Sequence, residues 1–243
     1  MIPKVIHYVW FGGSAMPSHV RDTIDSWRLI LDDYQIIEWN ENNFDITMDP
    51  WMHRMHQEGK YAFASDWARL YILKKHGGIY LDTDVELMKP FDDFLGERMF
   101  WGFEYDCYLA TCVIGSEAGH PLLDLLLAEY TGRMDAPINN SVVTKFFLHH
   151  FTDFLLNNTE QHLDEGIRVM PKEYFSVPSS NPNANYCRHH GSNLWRTGGK
   201  NKSLLKRIMR SLLGEICYFK LASWNVCRKN EFYPILIEHR KRR

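Results

Sequence analysis

The chain has 243 residues, a formal net charge of −2 and 45% hydrophobic residues, and it contains five cysteines. This composition excludes a disordered protein, and the length is sufficient for one large domain with a substantial core. The cysteines form no C-x-x-C pair, which argues against a disulfide framework and a structural zinc site. The start has no signal-peptide pattern and no run of about 18 apolar residues occurs, so we expect a cytoplasmic protein.

Strands and helices are predicted to alternate along the chain. Residues 4–11, KVIHYVWF, are β-branched and aromatic and predict a buried strand that ends at a glycine pair. Helical spacing of apolar residues predicts a helix over 18–31, residues 34–39 return to a strand, and a helix over 61–76 stops at a second glycine pair. Further strands are predicted near 99–103 and 108–114, and helices near 121–130 and 141–156. This alternation predicts an α/β fold with a mainly parallel, Rossmann-like sheet flanked by helices, whose ligands bind at the carboxyl ends of the strands.

The segment GGIYLDTDVEL, residues 77–87, carries two aspartates at such a strand end. Alternate side chains of an extended strand share a face, so Asp82 and Asp84 would project together. Paired carboxylates can hold Mn²⁺ or Mg²⁺ and leave its other positions for phosphate oxygens and water. Such a metal would neutralise a diphosphate as it departs from a sugar, which favours a nucleotide-sugar transferase. A solvated acidic turn is the alternative, because D-x-D alone has little specificity.

The C-terminal part of the chain is strongly basic. From residue 186 to the end, 14 Lys and Arg stand against 3 acidic residues, which predicts a cationic surface beside an acidic body. Residues 201–220 place apolar side chains on one helical side, so this helix would either pack on the body or contact the inner face of a membrane peripherally. We therefore expect a catalytic domain at 1–200 and a basic amphipathic extension at 201–243. No nucleic-acid motif accompanies the basic residues, so we expect no nucleic-acid partner.

Residues 61–94, YAFASDWARLYILKKHGGIYLDTDVELMKPFDDF, resemble the sugar-binding D-x-D region of glycosyltransferase family 32. The opening IPKVIHYVWFGG and the segment IIEWNENNFDI at 36–46 are similar to the family's first two strands. The family includes bacterial capsular and lipopolysaccharide transferases, fungal initiating mannosyltransferases and, more distantly, clostridial glucosylating toxins. The resemblance implies a GT-A fold, a divalent metal and a retaining transfer from a UDP- or GDP-sugar. The acceptor would be a glycan or a lipid-linked glycan in surface polysaccharide synthesis.

The resemblance also implies roles for four charged residues. Asp84 would ligate the metal directly, and Asp82 would contact the sugar or ribose and reach the metal through water. Asp66 and Arg69 lie three residues apart on one helix face. Asp66 would accept hydrogen bonds from the donor sugar, and Arg69 would bind the sugar or phosphates. The alternative for these two residues is an exposed ion pair that contributes little.

Aromatic residues and glycines are expected to shape the nucleotide site. Trp10 matches the family's aromatic that stacks on the base, and Tyr80 lies on the same strand face as Asp82 and would border the nucleotide. A structural role in the core is the alternative for both aromatic residues. Gly12 and Gly13 would let the backbone approach the nucleotide closely.

The segment YCRHHGSNLWR at 186–196 resembles the family's H-H-x-x-x-S-W segment, which closes over the metal and diphosphate. His189 or His190 would be a further metal ligand, with a solvated histidine pair as the alternative. Trp195 occupies the tryptophan position. Leu194 stands where the family has serine, so the role of that serine is not carried over.

Two other functions remain open from the sequence. The pattern IYLDTDVEL also fits haloacid-dehalogenase-like phosphohydrolases, in which the first aspartate is a nucleophile and the second a general acid. A non-catalytic binder of nucleotide-sugars is a further alternative, because Leu194 departs from the family pattern.

Overall fold

Helices and strands alternate along the chain in the computed structural model, which describes residues 1–181, 183–191 and 209–242. The strands are β1 Val5–Val9, β2 Gln35–Trp39, β3 Gly78–Leu81, β4 Val85–Leu87, β5 Met99–Tyr105, β6 Tyr108–Leu109, β7 Val113–Ser116, β8 Gln161–Leu163, β9 Ile167–Met170 and β10 Cys187–His189. The helices are α1 Ser18–Ile30, α2 Pro50–Gln57, α3 Tyr61–His76, α4 Pro121–Ala128, α5 Asn139–His150, α6 Lys172–Phe175, α7 Glu215–Arg228 and α8 Tyr233–Arg240.

The main sheet has the order β2-β1-β3-β7-β5-β9-β8, and β6 pairs with β5. β1 is parallel to β2 and β3, β5 is parallel to β9, and β7 is antiparallel to both β3 and β5. Strands β1, β2, β3, β5 and β9 therefore run in one direction, and β7 and β8 run against them. The predicted α/β fold with a mainly parallel sheet flanked by helices is confirmed.

Alternating side chains of the strands separate two apolar cores. In β3, Ile79 and Leu81 join the core that contains α1, whereas Tyr80 joins the core that contains α2, α3, α4 and α5. Because successive strand residues face opposite sides of a sheet, the side chain two residues beyond Tyr80 also points towards α3. Asp82 is that residue, so the topology directs it to the helix that carries Asp66 and Arg69.

A glycine pair connects α3 directly to β3. Gly77 ends the helix with a φ of 65°, and Gly78 follows with a φ of 99°. A Cβ atom on Gly78 would lie 2.6 Å from the carbonyl oxygen of Val5, so only glycine allows β3 to approach β1 this closely. Nine of the sixteen residues of α3 are buried, which fixes the helix beneath the sheet.

Three predicted elements differ from the structure. The strand expected over 108–114 is divided into β6 and β7, because the chain first forms a hairpin with β5 and then crosses to pair with β3. The helix expected over 141–156 ends at His150, where extended Phe151 follows. A continuous helix over 201–220 is wrong, since Gly214 has a φ of 73° and separates helical residues 209–213 from α7.

Part of the described C-terminal segment packs on the rest of the chain. Cys227, Phe232 and Leu236 belong to the core that contains α3, and His239 accepts a hydrogen bond of 2.8 Å from the amide of Leu156. The expected boundary between residues 200 and 201 lies outside the described residues and stays a prediction. Among the described residues, no helix has the length and apolar character needed to cross a membrane.

Candidate active site

A cavity of about 410 Å³ opens where β1, β3 and β5 end. Its walls include seven of the residues singled out in the sequence: Trp10, Asp66, Arg69, Tyr80, Asp82, Asp84 and His189. They come from the end of β1, the middle of α3, the end of β3 with the turn after it, and the last residue of β10. Ligands of α/β sheets bind at the carboxyl ends of the parallel strands, and these side chains converge at that end of the sheet.

Arg69 is the buried centre of the site, with 4% of its surface exposed. Its Nη2 lies 2.8 Å from Oδ1 of Asp66, and its Nη1 lies 3.1 Å from Oδ1 of Asp82. Nη1 also donates to the carbonyl of Thr111, while Nε and Nη2 donate to the carbonyl and hydroxyl of Ser65. All three nitrogens of the guanidinium therefore have polar partners. In this structure Arg69 therefore holds two carboxylates in place, and the expected alternative of an exposed ion pair does not apply.

Asp66 is 9% exposed and accepts a hydrogen bond of 2.9 Å from Asn139 Nδ2 in addition to its contact with Arg69. Burial is the largest influence and raises the pKa of Asp66 to about 7, although Arg69 and Asn139 oppose this. Tyr130 donates to Oδ1 of the same Asn139, and this hydrogen bond orients the side-chain amide so that its Nδ2 faces Asp66. Asn139 and the neighbouring Asn140 both line the cavity.

Tyr80 contacts both Asp82 and Arg69. Its hydroxyl donates to Oδ1 of Asp82 at 2.9 Å, and the guanidinium carbon of Arg69 lies 4.5 Å from the centre of its ring. Only 2% of Tyr80 is exposed, although it contributes to the cavity wall. The structure thus assigns Tyr80 a core position that also reaches the site.

Asp82, Asp84 and His189 form a group that can hold a metal ion. One ligand atom from each residue lies within 4.8 Å of the other two, and His189 Nε2 is 3.3 Å from Oδ1 of Asp84. Neighbouring ligand atoms of one hard cation lie about 3 Å apart when each is about 2.1 Å from the ion. Two carboxylates and one imidazole are suitable donors for Mn²⁺ or Mg²⁺. The residues present therefore fit a divalent cation.

The two neighbouring histidines have different surroundings. His189 ends β10 and faces the cavity, whereas His190 is directed to Glu86, with Nε2 3.1 Å from Oε2 and half of both side chains exposed. Only His189 joins the aspartates in a group of candidate ligands among the described residues. Trp195 and Leu194 lie outside the described residues.

Glu104 is a site residue that the sequence reasoning missed. It follows the buried run of β5, lines the cavity and contacts Nδ1 of His189 through both carboxylate oxygens, at 3.0 and 3.2 Å. Burial lowers the pKa of His189, but Cys112, Glu104 and Asp84 raise it, and the net direction is well above the usual value. An acidic residue at the end of an apolar strand was the available signal, the same signal that identified Asp82.

Trp10 and Tyr61 form an aromatic side of the cavity. The indole of Trp10 donates to the carbonyl of Ser14 at 2.9 Å, which holds the ring at the end of β1. Gly12 has a φ of 99°, and a Cβ atom there would lie 2.4 Å from the ring of Tyr61. Gly12 therefore makes room for this tyrosine, and nothing lies within 4 Å of the corresponding position on Gly13.

A family model described as "Glycosyltransferase sugar-binding region containing DXD motif" matches residues 17–101. The chain is 33% identical over 178 residues to the uncharacterized glycosyltransferase L373 of Acanthamoeba polyphaga mimivirus, a match that covers 65% of this chain and 68% of that protein. It is 30% identical over 129 residues to inositol phosphoceramide mannosyltransferase 3 of Schizosaccharomyces pombe, covering 50% of this chain and 35% of that protein. Among solved structures, the PaToxG glycosyltransferase superposes with a TM-score of 0.48 at 22% identity over 61% of this chain and 69% of that chain.

The family match runs from α1 to the beginning of β5 and includes Asp66, Arg69 and the aspartates of the DXD motif. The match with the relative from mimivirus covers two thirds of that protein's own length. The resemblance seen in residues 61–94 is thus confirmed. The chain belongs to the glycosyltransferases whose sugar-binding region contains the DXD motif.

Proposed function

We propose that this glycosyltransferase is a metal-dependent, retaining enzyme that moves a sugar from a UDP- or GDP-sugar to a glycan or lipid-linked glycan in surface polysaccharide synthesis. The observation that carries the proposal is the juxtaposition in one cavity of a hard-metal donor set, Asp82, Asp84 and His189, with the buried Asp66–Arg69 pair. Family membership removes the support for the phosphohydrolase alternative.

Each part of the site has a distinct task in this proposal. A divalent cation held by Asp82, Asp84 and His189 would supply positive charge beside the departing diphosphate. Arg69 fixes the positions of Asp66 and Asp82, which keeps both carboxylates preorganised before the donor arrives. Asp66 would accept hydrogen bonds from the donor sugar, and Trp10 would stack on the base. Trp195 would close over the diphosphate.

The names of two relatives support a mannosyl donor and a lipid-linked acceptor. Both are inositol phosphoceramide mannosyltransferases of Schizosaccharomyces pombe, and the matches cover 35% and 39% of their lengths. Because the names of both relatives contain mannosyltransferase, we include GDP-mannose with the UDP-sugars as candidate donors.

A location at the cytoplasmic face of a membrane is the second part of the proposal. The C-terminal segment exposes Leu212, Leu221 and Trp224, which are 79%, 50% and 53% exposed. Arg228 stacks on Trp224, with its guanidinium carbon 4.5 Å from the ring centre. Apolar side chains beside cations are suited to the interface of an anionic bilayer. Sedimentation with anionic vesicles should depend on Trp224, and equal sedimentation of Trp224→Ala and the original protein would contradict this location.

Thermal stability with nucleotide-sugars tests the donor and metal parts. The melting temperature of the purified protein is measured with Mn²⁺ and each of a panel of UDP- and GDP-sugars, and again for Asp84→Ala. A rise with one donor that requires Mn²⁺ and disappears in the variant is expected, because a ligand that binds only the folded state stabilises it. The absence of a shift with every donor would contradict nucleotide-sugar binding. Slow release of nucleoside diphosphate without acceptor separates an enzyme from a non-catalytic binder.

A further inference from the structure

We propose that Glu104 is a positioning residue of the metal site, which holds the imidazole of His189 so that Nε2 faces Asp84 and the metal. This inference rests on the proposed metal site and adds a residue to it. The two ring nitrogens of His189 have different neighbours, Glu104 at Nδ1 and Asp84 at Nε2. Glu104 thus acts on the metal through the histidine.

The chemistry of imidazole explains why such a partner is needed. A ring nitrogen that ligates a metal offers its lone pair, so the proton of the neutral ring must lie on the other nitrogen. The Glu104 carboxylate lies 3.0 Å from Nδ1 and accepts that proton in a hydrogen bond. It thereby selects the tautomer whose Nε2 is free to ligate and prevents rotation of the ring.

Glu104 is itself fixed by the surrounding fold. Its side chain is 14% exposed and follows the buried part of β5, so the main sheet determines its position. The hydroxyl of Ser176 and the thiol of Cys112 both approach Oε2, at 3.4 and 3.7 Å. His189 comes from β10, which pairs with β4 directly after the aspartates. Glu104 therefore links β5 of the main sheet to the two-stranded β4–β10 ribbon, which carries His189.

The chain contains a matched control for this arrangement. His190, the residue after His189, contacts Glu86 at 3.1 Å. This second histidine–glutamate pair is exposed and lies outside the cavity. If any carboxylate near the β4–β10 ribbon influenced the metal through its charge alone, Glu86→Gln would act like a substitution of Glu104. A positioning role predicts an effect only for Glu104.

The test measures Mn²⁺ binding without donor, from the electron paramagnetic resonance signal of free Mn²⁺. Glu104→Met keeps the length of the side chain and removes the acceptor, and it is expected to weaken Mn²⁺ binding about 10- to 100-fold. Glu104→Gln keeps one acceptor oxygen and should lose less than the Met variant, and Glu86→Gln should bind Mn²⁺ like the original protein.

A double variant shows whether Glu104 acts through the ring. In His189→Ala, the additional change Glu104→Met is expected to cause no further loss of Mn²⁺ binding. A further loss, or unchanged Mn²⁺ binding in Glu104→Met, would overturn the inference while leaving the metal site intact. If Asp84→Ala and the original protein bind Mn²⁺ equally, the proposed metal site itself fails. Transfer activity of Glu104→Met should recover at saturating Mn²⁺, which a loss of folding would not permit.

Discussion

Replacing Arg69 by alanine should strongly destabilise the folded protein, because the guanidinium is the shared partner of two carboxylates. Asp66 and Asp82 have side-chain exposures of 13% and 27%, and Arg69 is exposed by only 4%. Removing one partner of a buried ion pair costs about 3 to 5 kcal/mol, because a buried charge remains without compensation. The carbonyl of Thr111 and the hydroxyl of Ser65 also lose their donors. We expect a loss near the upper end of this range at pH 8.

The helix α1 provides a control with the same spacing. Asp25 and Arg28 are also three residues apart, with Nη1 2.5 Å from Oδ1, but their side chains are 61% and 54% exposed. Exposed pairs of this kind contribute about 0 to 1 kcal/mol, so Arg28→Ala should change stability by no more than that. The two pairs share residue types, spacing and helix context, and they differ in burial and in the additional partners of Arg69.

Urea unfolding of the metal-free protein measures both variants. A loss of about 3 kcal/mol lowers the unfolding midpoint by at least about 1 M for a slope of 1 to 3 kcal/mol/M. Arg69→Lys should be intermediate, because one ammonium cannot replace a planar fork with five donors. Equal midpoints for Arg69→Ala and Arg28→Ala would refute the assignment of Arg69 as a buried anchor of the site.

Two further predictions concern Asp66 and Gly12. The pKa of Asp66 is raised from 3.8 to about 7 by burial, so its stabilising contribution is complete below pH 4 and is lost as pH rises through 7. The free energy of unfolding of the original protein minus that of Asp66→Asn should therefore fall by up to ~4 kcal/mol between pH 4 and 8, and a flat difference would contradict burial as the cause. Gly12→Ala should lose about 1 to 3 kcal/mol because of its φ of 99° and the contact with Tyr61. Gly13→Ala, with no atom within 4 Å of the new carbon, should lose less, and the reverse order in urea unfolding would contradict the role of Tyr61.

The parts of the site that depend on local pattern could be predicted from the sequence. The helix that carries Asp66 and Arg69 has clear stop signals in Gly77 and Gly78, and the strand after it has an apolar run that ends at Asp82. These features are set by interactions within about 20 residues, so periodicity and glycine positions are sufficient to predict them.

The remaining parts depend on contacts between distant segments. Pairing of β10 with β4 places His189 opposite Val85, and this register determines that His189 rather than His190 faces the cavity. Glu104 and His189 are separated by 85 positions in the chain, and neither residue predicts the other. The break at Gly214 was visible as a glycine, but the continuing apolar periodicity outweighed it.

The most direct test of the central claim is turnover of the donor. The protein is incubated without acceptor with Mn²⁺ and the nucleotide-sugar that stabilises it, and the released nucleoside diphosphate is quantified for the original protein, Asp84→Ala and samples with chelator. We expect slow release that requires both Mn²⁺ and Asp84. Equal release with chelator or in Asp84→Ala would contradict a metal-dependent transferase that uses the carboxylates of the DXD motif.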